Sequence, residues 1–192
     1  PAALAASDTS DSVIEQVVKA AEIMVGDSSG NLNLDSTVTR AEYAKMLVCA
    51  STSKDSVAGA SNSSPFKDVP YTHWAAGYIK TAVQQGWISG YLDGSYKPNR
   101  TVTLEEAATG VLKLLGYTTS DFSGSYPNAQ LALYKSLNLN TRITASQGSA
   151  MTRRNMMYLF YNLLNTKTKD GQVYAQTLGY TLNSSDEIDY LS

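Results

Sequence analysis

The chain has 192 residues, of which 43% are apolar and 17% are charged, and its formal net charge is −2. This composition is typical of a globular protein and excludes a fibrous or broadly disordered chain. No run of 18 apolar residues occurs, so the sequence predicts no membrane insertion. With one histidine and one cysteine, zinc sites made of several such ligands are excluded, and we expect no metal and no cofactor.

The first residues, PAALAAS, have the small side chains that are typical of a signal-peptidase cleavage site. An unstructured chain end would have the same composition. Export and a plain chain end therefore both remain open at this point.

An internal repeat organises the chain. Residues 26–48 superpose without a gap on residues 90–112, so that Gly26 falls on Gly90. A third, more divergent copy ends in residues 151–164. A period of roughly 50 to 65 residues predicts three modules of one domain.

Each copy is predicted to contain two helices. In the central copy, the first helix has apolar residues at i, i+3, i+4, i+7 and i+8 from Ala75, and it ends at Gly86 as a C′ residue. The corresponding helices of the outer copies are predicted over residues 13–24 and 129–139.

The second helices begin with capping boxes, which pair Thr39 with Glu42 and Thr103 with Glu106. In the third copy Asn155 replaces the glutamate, so half of the box is lost. That helix has the bulkiest apolar stripe, which predicts a central position in the fold.

The sequence therefore predicts an all-α protein of three tandem helix-loop-helix repeats. The predicted divisions are residues 1–60, 61–120 and 121–170 for the repeats and 171–192 for a C-terminal tail. The Ser-rich segments 51–64 and 118–125 are predicted to be flexible linkers, and the tail is expected either to pack loosely or to lead into further sequence.

Two arginines occupy an unfavourable helical position. Arg40 and Arg153 are predicted at the first residue of a helix, where the positive end of the dipole makes a cation costly by about 0.3–1 kcal/mol. An anionic ligand there would meet a guanidinium group and free backbone N–H groups. An arginine that turns away from the helix end, or that pairs with a neighbouring acid, would explain the same position.

The central unit, residues 66–116, resembles an S-layer homology domain through FKDV, HWAAGYIKTAV, GWISGY, DGSYKPN and VTLEE. The first copy contains VTRAEYAKMLV, and the third keeps MTRRN. The resemblance implies three repeats in a pseudo-threefold, three-pronged arrangement with ligand grooves between neighbouring prongs. It also implies non-covalent anchoring of a surface protein to a bacterial cell wall through an acidic, often pyruvylated, secondary cell-wall polysaccharide.

This resemblance leads us to interpret six residues as ligand-binding: Arg40, Arg153, Trp74, Asp68, Gly26 and Gly90. The central copy has Leu104 at the arginine position, so one of the three potential grooves is predicted to be impaired.

Each of the other candidates has an alternative interpretation. Trp74 would stack on a sugar ring, or it would fill the core beneath its helix. Asp68 would accept hydrogen bonds from sugar hydroxyls, or it would hold the loop before its helix in an Asx turn. Gly26 and Gly90 would allow close approach of the backbone to a ligand, or they would be turn residues with positive φ.

Other functional classes find little support in the sequence. Residues 27–38 do not match a calcium loop, because Leu32 and Val38 stand where glycine and glutamate are needed. No Ser/His or Cys/His arrangement stands out, so we predict no catalytic residues and a protein that is not an enzyme. Overall acidity and the lack of a recognised motif argue against a nucleic-acid partner.

The expected partner is a cell-wall polysaccharide, with a larger surface protein or an S-layer lattice as the attached assembly, and the expected location is extracellular. A second interpretation is a structural module that mediates protein–protein contacts in a surface layer. A third is a targeting part of an enzyme whose catalytic domain is encoded elsewhere. The basic segment 126–170, with six basic residues and one acidic, favours an anionic partner.

Overall fold

A computed structural model describes residues 9–59 and 64–191. Within these residues the protein is all-α, as predicted, with seven α-helices and five isolated antiparallel β-bridges but no β-sheet. The helices are α1 (Asp11–Ala20), α2 (Arg40–Cys49), α3 (Ala76–Gln84), α4 (Leu104–Leu114), α5 (Asn128–Ser136), α6 (Arg153–Leu164) and α7 (Tyr174–Thr177), and 3-10 turns cover Lys54–Gly59 and Thr119–Asp121. No described helix is long and apolar enough to cross a membrane.

Both predicted capping boxes are present. Thr39 accepts a hydrogen bond from the Glu42 amide at 3.1 Å, and the Glu42 carboxylate accepts one from the Thr39 amide at 2.9 Å. Thr103 and Glu106 make the same reciprocal pair at the start of α4. These bonds satisfy helix-end amides and fix the first residues of both helices.

The helix α6 occupies the central position that its apolar stripe predicts. Ten of its twelve residues are buried, from Asn155 to Leu164. Its cap is the half box expected from the sequence, because Thr152 accepts from the Asn155 amide at 3.1 Å without a reciprocal bond.

The first helices of the outer repeats end earlier than predicted. Helix α1 starts at Asp11, since Ser10 caps it by accepting from the Val13 amide at 3.3 Å, and the chain turns away at Glu22 with φ +60°. Helix α5 is followed by Asn138 with φ +58°. The central helix α3 agrees with its prediction, because Gly86 follows it with φ +80°.

A closed cycle of backbone hydrogen bonds joins the residues that precede α2, α4 and α6. Val38 donates its amide to Met151 (3.0 Å), Met151 donates to Val102 (2.9 Å), and Val102 donates to Val38 (2.9 Å). All three side chains are fully buried. The three copies therefore meet through the same backbone position of each repeat.

Helix packing follows the same cyclic order. The second helix of each predicted repeat packs against the first helix of the next, which pairs α2 with α3, α4 with α5 and α6 with α1. Every repeat thus buries its apolar faces against a neighbour. The three-pronged outline and the repeat boundaries stay predictions.

The helices α2, α4 and α6 meet around Tyr43. Its hydroxyl donates to the Ala107 carbonyl at 2.7 Å, and its ring lies 6.2 Å from that of Phe160. A Cβ at Gly110 would lie 2.2 Å from the Tyr43 hydroxyl, so this glycine gives the two helices room to approach. Burial raises the pKa of Tyr43 well above its usual value, which keeps the hydroxyl a neutral donor.

The C-terminal tail packs more closely than the sequence predicts. Tyr174 is buried, and its hydroxyl donates to the Ala50 carbonyl at 2.6 Å. Tyr190 donates to the Asn165 side chain at 2.8 Å. The expectation of a loose tail is wrong, because its tyrosines add both buried apolar area and hydrogen bonds.

The linker predicted over 51–64 forms a 3-10 turn at Lys54–Gly59, and residues 60–63 lie outside the described residues.

Candidate functional site

Arg40 is buried, with 2% of its surface exposed. Its Nε donates to the Tyr96 carbonyl at 2.8 Å, its Nη2 donates to the Ser89 carbonyl at 2.7 Å, and its Nη1 pairs with the Glu106 carboxylate. The rings of Tyr96 and Tyr91 lie 4.4 and 4.9 Å from the guanidinium carbon. The alternative of an arginine paired with a neighbouring acid is therefore confirmed here, and a ligand anion would reach Arg40 only by displacing Glu106.

Arg153 binds the corresponding carbonyls of the first repeat but keeps its charge uncompensated. Its Nε donates to the Leu32 carbonyl, and its Nη2 donates to the Val25 carbonyl at 3.1 Å. The guanidinium is half-buried, and no carboxylate among the described residues lies within ion-pair distance of it. Carbonyls orient a cation without neutralising it, so Arg153 still favours an anion.

The backbone amides at these helix starts are not free. In α2, the Arg40 amide donates to the Arg100 carbonyl at 2.8 Å, and the Ala41 amide donates to the Pro98 carbonyl at 3.0 Å. The equivalent bonds of α6 run from Arg153 to Ser36 (2.8 Å) and from Arg154 to Leu34 (2.9 Å). The prediction of an anion site built from free helix amides is wrong, because the neighbouring repeat already occupies them.

Arg153 and Trp74 line the same cavity, which has a volume of about 190 Å³. Trp74 is 58% exposed and stacks on His73 with a centroid distance of 5.8 Å, so the alternative of a core-filling tryptophan is wrong. It stands just before α3, and the packing of α3 on α2 brings it beside Glu42 and Lys45. Three repeats therefore contribute to one cavity.

A larger cavity of about 620 Å³ adjoins the first one and shares Met24, Val25 and Lys45 with it. Gly26 and Tyr78 also line it. We refer to the two cavities together as the Arg153 groove. The structure thus brings three of the six candidates, Arg153, Trp74 and Gly26, to one continuous surface.

The two glycines are needed for packing within the chain. A Cβ at Gly26 would lie 2.7 Å from the carbonyl of Gly30, and a Cβ at Gly90 would lie 2.1 Å from the ring of Phe66. Neither residue has a positive φ, so the alternative of a left-handed turn residue is wrong. Phe66 covers Gly90, whereas Gly26 borders the larger cavity.

Asp68 holds a distant loop instead of the loop before its own helix. Its two oxygens accept from the amides of Tyr96 and Lys97, each at 2.8 Å. Burial acts to raise the pKa of Asp68, but these amide hydrogen bonds outweigh it and lower the pKa. Because the Tyr96 carbonyl accepts from Arg40, Asp68 supports the Arg40 cluster and does not border the Arg153 groove.

The third groove lacks a cation from its helix start, as predicted. Leu104 is buried, and its amide donates to the Ser149 carbonyl at 3.0 Å. The arginine amides at the equivalent positions likewise donate to a carbonyl of the next repeat.

In the described part of the chain, no cluster of three or more His, Cys, Asp or Glu side chains is placed to hold a metal. Asp27 instead accepts from the amides of Ser29 and Asn31, so this segment forms a turn.

Sequence reasoning missed Lys45, which borders both cavities of the Arg153 groove. The internal alignment could have drawn attention to Lys45, because the first copy has a cation at the position where the second copy has the neutral Thr109. Val25 was also missed, although it stands next to the candidate Gly26.

Residues 65–108 match the model of the S-layer homology domain family, and this segment belongs to that family. The chain as a whole has relatives beyond this segment. It is 32% identical to the middle cell wall protein of Brevibacillus brevis over 157 residues, which are 80% of the chain. It is 33% identical to the surface layer protein of Brevibacillus choshinensis over 147 residues, or 72% of the chain. A cellulosome-anchoring protein of Acetivibrio thermocellus is 34% identical over 95 residues, or 50% of the chain.

The first two relatives are a cell wall protein and a surface layer protein by their names, and the third is an anchoring protein, which agrees with the predicted class and location. The chain spans 15%, 13% and 21% of the lengths of these three relatives.

Proposed function

We propose that the chain anchors a surface protein non-covalently to the bacterial cell wall by binding an acidic secondary cell-wall polysaccharide in the Arg153 groove. The observation that carries this proposal is the cavity that Arg153 and Trp74 share. It places an uncompensated guanidinium next to an exposed aromatic ring. An acidic sugar offers a carboxylate to the guanidinium and an apolar ring face to the indole.

The guanidinium supplies the recognition of charge. Arg153 is already oriented by the Val25 and Leu32 carbonyls, so it loses little side-chain freedom when a carboxylate binds. A carboxylate, such as that of a pyruvate ketal, accepts charge-assisted hydrogen bonds from the guanidinium. Such bonds contribute about 1.5–3 kcal/mol each.

Trp74 supplies the apolar surface. Its exposed indole can pack against the C–H face of a sugar ring, while its N–H can donate to a hydroxyl group. Glu42, the capping-box glutamate equivalent to Glu106, lines the same cavity, but in the described part of the chain it makes no ion pair with Arg153.

The Arg153 groove is the proposed site among the three related positions. At the second position, Glu106 already pairs with Arg40 and two tyrosine rings enclose it. At the third position, Leu104 provides no charge. We therefore propose one binding groove per chain of this length.

The relatives support a role at the cell surface, because two are named as cell wall or surface layer proteins and one as an anchoring protein. We propose accordingly that the chain is extracellular and acts by binding without catalysis. The same comparison supports the proposal that the chain is attached to a larger surface protein.

A second candidate function is lateral assembly in a surface layer. Tyr71 and Leu92 favour it, because both are large apolar side chains exposed on the second repeat. In this role the chain would associate with other surface proteins independently of the wall polymer.

Co-sedimentation with cell-wall sacculi separates the two functions. We expect the chain to sediment with intact sacculi and to stay in the supernatant after the secondary polysaccharide has been extracted from them. Equal sedimentation with extracted sacculi would contradict polysaccharide binding. Self-association of the chain without sacculi, measured by analytical ultracentrifugation, would favour assembly.

A further inference from the structure

We infer that the Arg153 groove contains a second anion-binding position, formed by Lys45 beside Tyr78, which takes another acidic sugar residue of the same polysaccharide chain. This inference rests on the proposed function of the groove. It adds that the site recognises two separated negative charges instead of one.

Lys45 connects the two halves of the groove. It lies on α2, is half-buried, and borders both the 190 Å³ cavity of Arg153 and the 620 Å³ cavity beyond it. Its Nζ stands 5.8 Å from the centroid of the Tyr78 ring. A ligand that leaves Arg153 along the groove therefore meets Lys45 next.

The charge of Lys45 is not compensated by a neighbouring acid. No carboxylate among the described residues lies within ion-pair distance of its ammonium group. The other two lysines of the larger cavity differ in this respect, because Lys19 pairs with Glu15 at 3.2 Å and Lys54 pairs with Glu22 at 2.7 Å. Lys45 is thus the lysine of this cavity that remains available to an anion.

Three acids, Glu22, Asp27 and Asp55, line the larger cavity, and their partners differ. Glu22 is held by Lys54, and its pKa is lowered by that contact. Asp27 accepts two backbone amides, which lower its pKa. Asp55 follows Lys54 in the chain and is the remaining carboxylate along this cavity. Lys54 therefore neutralises Glu22, whereas the neutral amides leave the charge of Asp27 in place, so the repulsion that an anion at Lys45 meets comes from Asp27 and Asp55.

Tyr78 provides an uncharged aromatic surface at this second position. It stands near the start of α3, whose packing on α2 places its ring against Lys45. Burial, followed by the nearby Cys49, raises the pKa of the Tyr78 hydroxyl. The ring can therefore support the apolar face of a sugar while its hydroxyl stays protonated and able to donate.

The dimensions of the groove also favour an extended ligand. Small-ligand pockets are typically about 300–1,000 Å³, so the 190 Å³ cavity alone is small, whereas the 620 Å³ cavity lies within that range. A ligand that fills both cavities would therefore be longer than the sugar bound between Arg153 and Trp74.

The equivalent position of the second repeat lacks this cation. Thr109 stands there, and its hydroxyl donates to the Glu105 carbonyl at 2.7 Å. Of these two equivalent positions, the one with a lysine therefore lies in the groove whose arginine has no acidic partner. The coincidence of both cations in one groove is what the inference explains.

Binding of size-fractionated wall polysaccharide tests the inference. The probes are a fragment with one carboxylate and a longer fragment with two, both prepared by enzymatic cleavage of pyruvylated polysaccharide, which keeps the acid-labile ketals intact, and measured by isothermal titration calorimetry. We expect Lys45→Met to weaken binding of the two-acid fragment about 3- to 5-fold and to leave the one-acid fragment unchanged. We expect Lys45→Glu to weaken the two-acid fragment further, and Lys135→Met, which removes an exposed lysine of α5, to change neither.

Salt dependence provides an independent readout, because a lost ionic contact reduces the sensitivity of binding to ionic strength. Lys45→Met should show a shallower loss of affinity with added NaCl than the unmodified chain. If Arg153→Ala abolishes binding while both Lys45 variants bind the two-acid fragment normally, the second position is wrong and the proposed function stands. If neither Arg153→Ala nor the Lys45 variants change binding, the groove assignment itself is wrong.

Discussion

Arg40 and Arg153 begin equivalent helices and donate to corresponding carbonyls of the next repeat, yet only Arg40 is paired with an acid, Glu106. Two arginines at equivalent positions of their repeats thus differ in whether a carboxylate balances their charge. The difference assigns Arg40 to the stability of the fold and Arg153 to the proposed binding site.

Arg40→Ala should destabilise the protein by about 3–5 kcal/mol, because it leaves Glu106 and two carbonyls without their partner. Urea unfolding followed by circular dichroism measures this loss. Arg154→Ala is the matched control, since it removes an exposed ion pair with Asp35 and should change the free energy of unfolding by less than about 1 kcal/mol. Equal effects of the two substitutions would contradict the structural role of Arg40.

Gly110→Ala should destabilise the protein by about 1–3 kcal/mol, because its Cβ would overlap the Tyr43 hydroxyl where α2 and α4 meet. The neighbouring Thr109→Ala is the control. It removes a hydrogen bond within α4 and should leave the free energy of unfolding nearly unchanged. A Gly110→Ala variant as stable as this control would show that the close approach is not required.

Asp68 should make stability depend on pH at the acidic end. Its pKa is lowered in the folded state, so its contribution is complete above its unfolded value near 4 and is lost as the pH falls through the folded value. Asp68→Asn should therefore be less stable than the unmodified chain at pH 7, and the two should converge as the pH falls below about 4. Unfolding free energies that stay separated by the same amount throughout this range would contradict the assignment.

Trp74→Ala should weaken binding of wall polysaccharide about 10-fold with little loss of stability, because the ring is exposed and lines the Arg153 groove. Tyr71→Ala is the control, as it removes an exposed aromatic residue three positions away that does not border the groove. Binding isotherms and melting curves for both variants separate affinity from folding. The role of Trp74 would be wrong if both variants bound equally well.

Much of the fold was predictable because its signals are local. The threonine and glutamate of each capping box, the glycine after α3 and the bulky stripe of α6 each determine structure within a few residues. The tail was harder to predict, since Tyr174 and Tyr190 are ordered by contacts with Ala50 of the first repeat and Asn165 of the third.

The candidate site was predictable only in part. The unfavourable position of the arginines was visible in the sequence, but the partner that distinguishes them was not, because Glu106 belongs to a different repeat from Arg40. The helix-end amides were expected to be free for the same reason, and neighbouring carbonyls occupy them. Lys45 differs from its counterpart Thr109 in the sequence, but only the packing of α2 on α3 places it beside Tyr78.

Affinity of the Arg153→Ala chain for purified pyruvylated wall polysaccharide tests the proposed function most directly. Arg154→Ala serves as the control, because it removes the same charge from the adjacent position and its side chain pairs with Asp35. We expect Arg153→Ala to bind at least about 10-fold more weakly than the unmodified chain and Arg154→Ala to bind normally. Unchanged affinity of a folded Arg153→Ala chain would contradict the account.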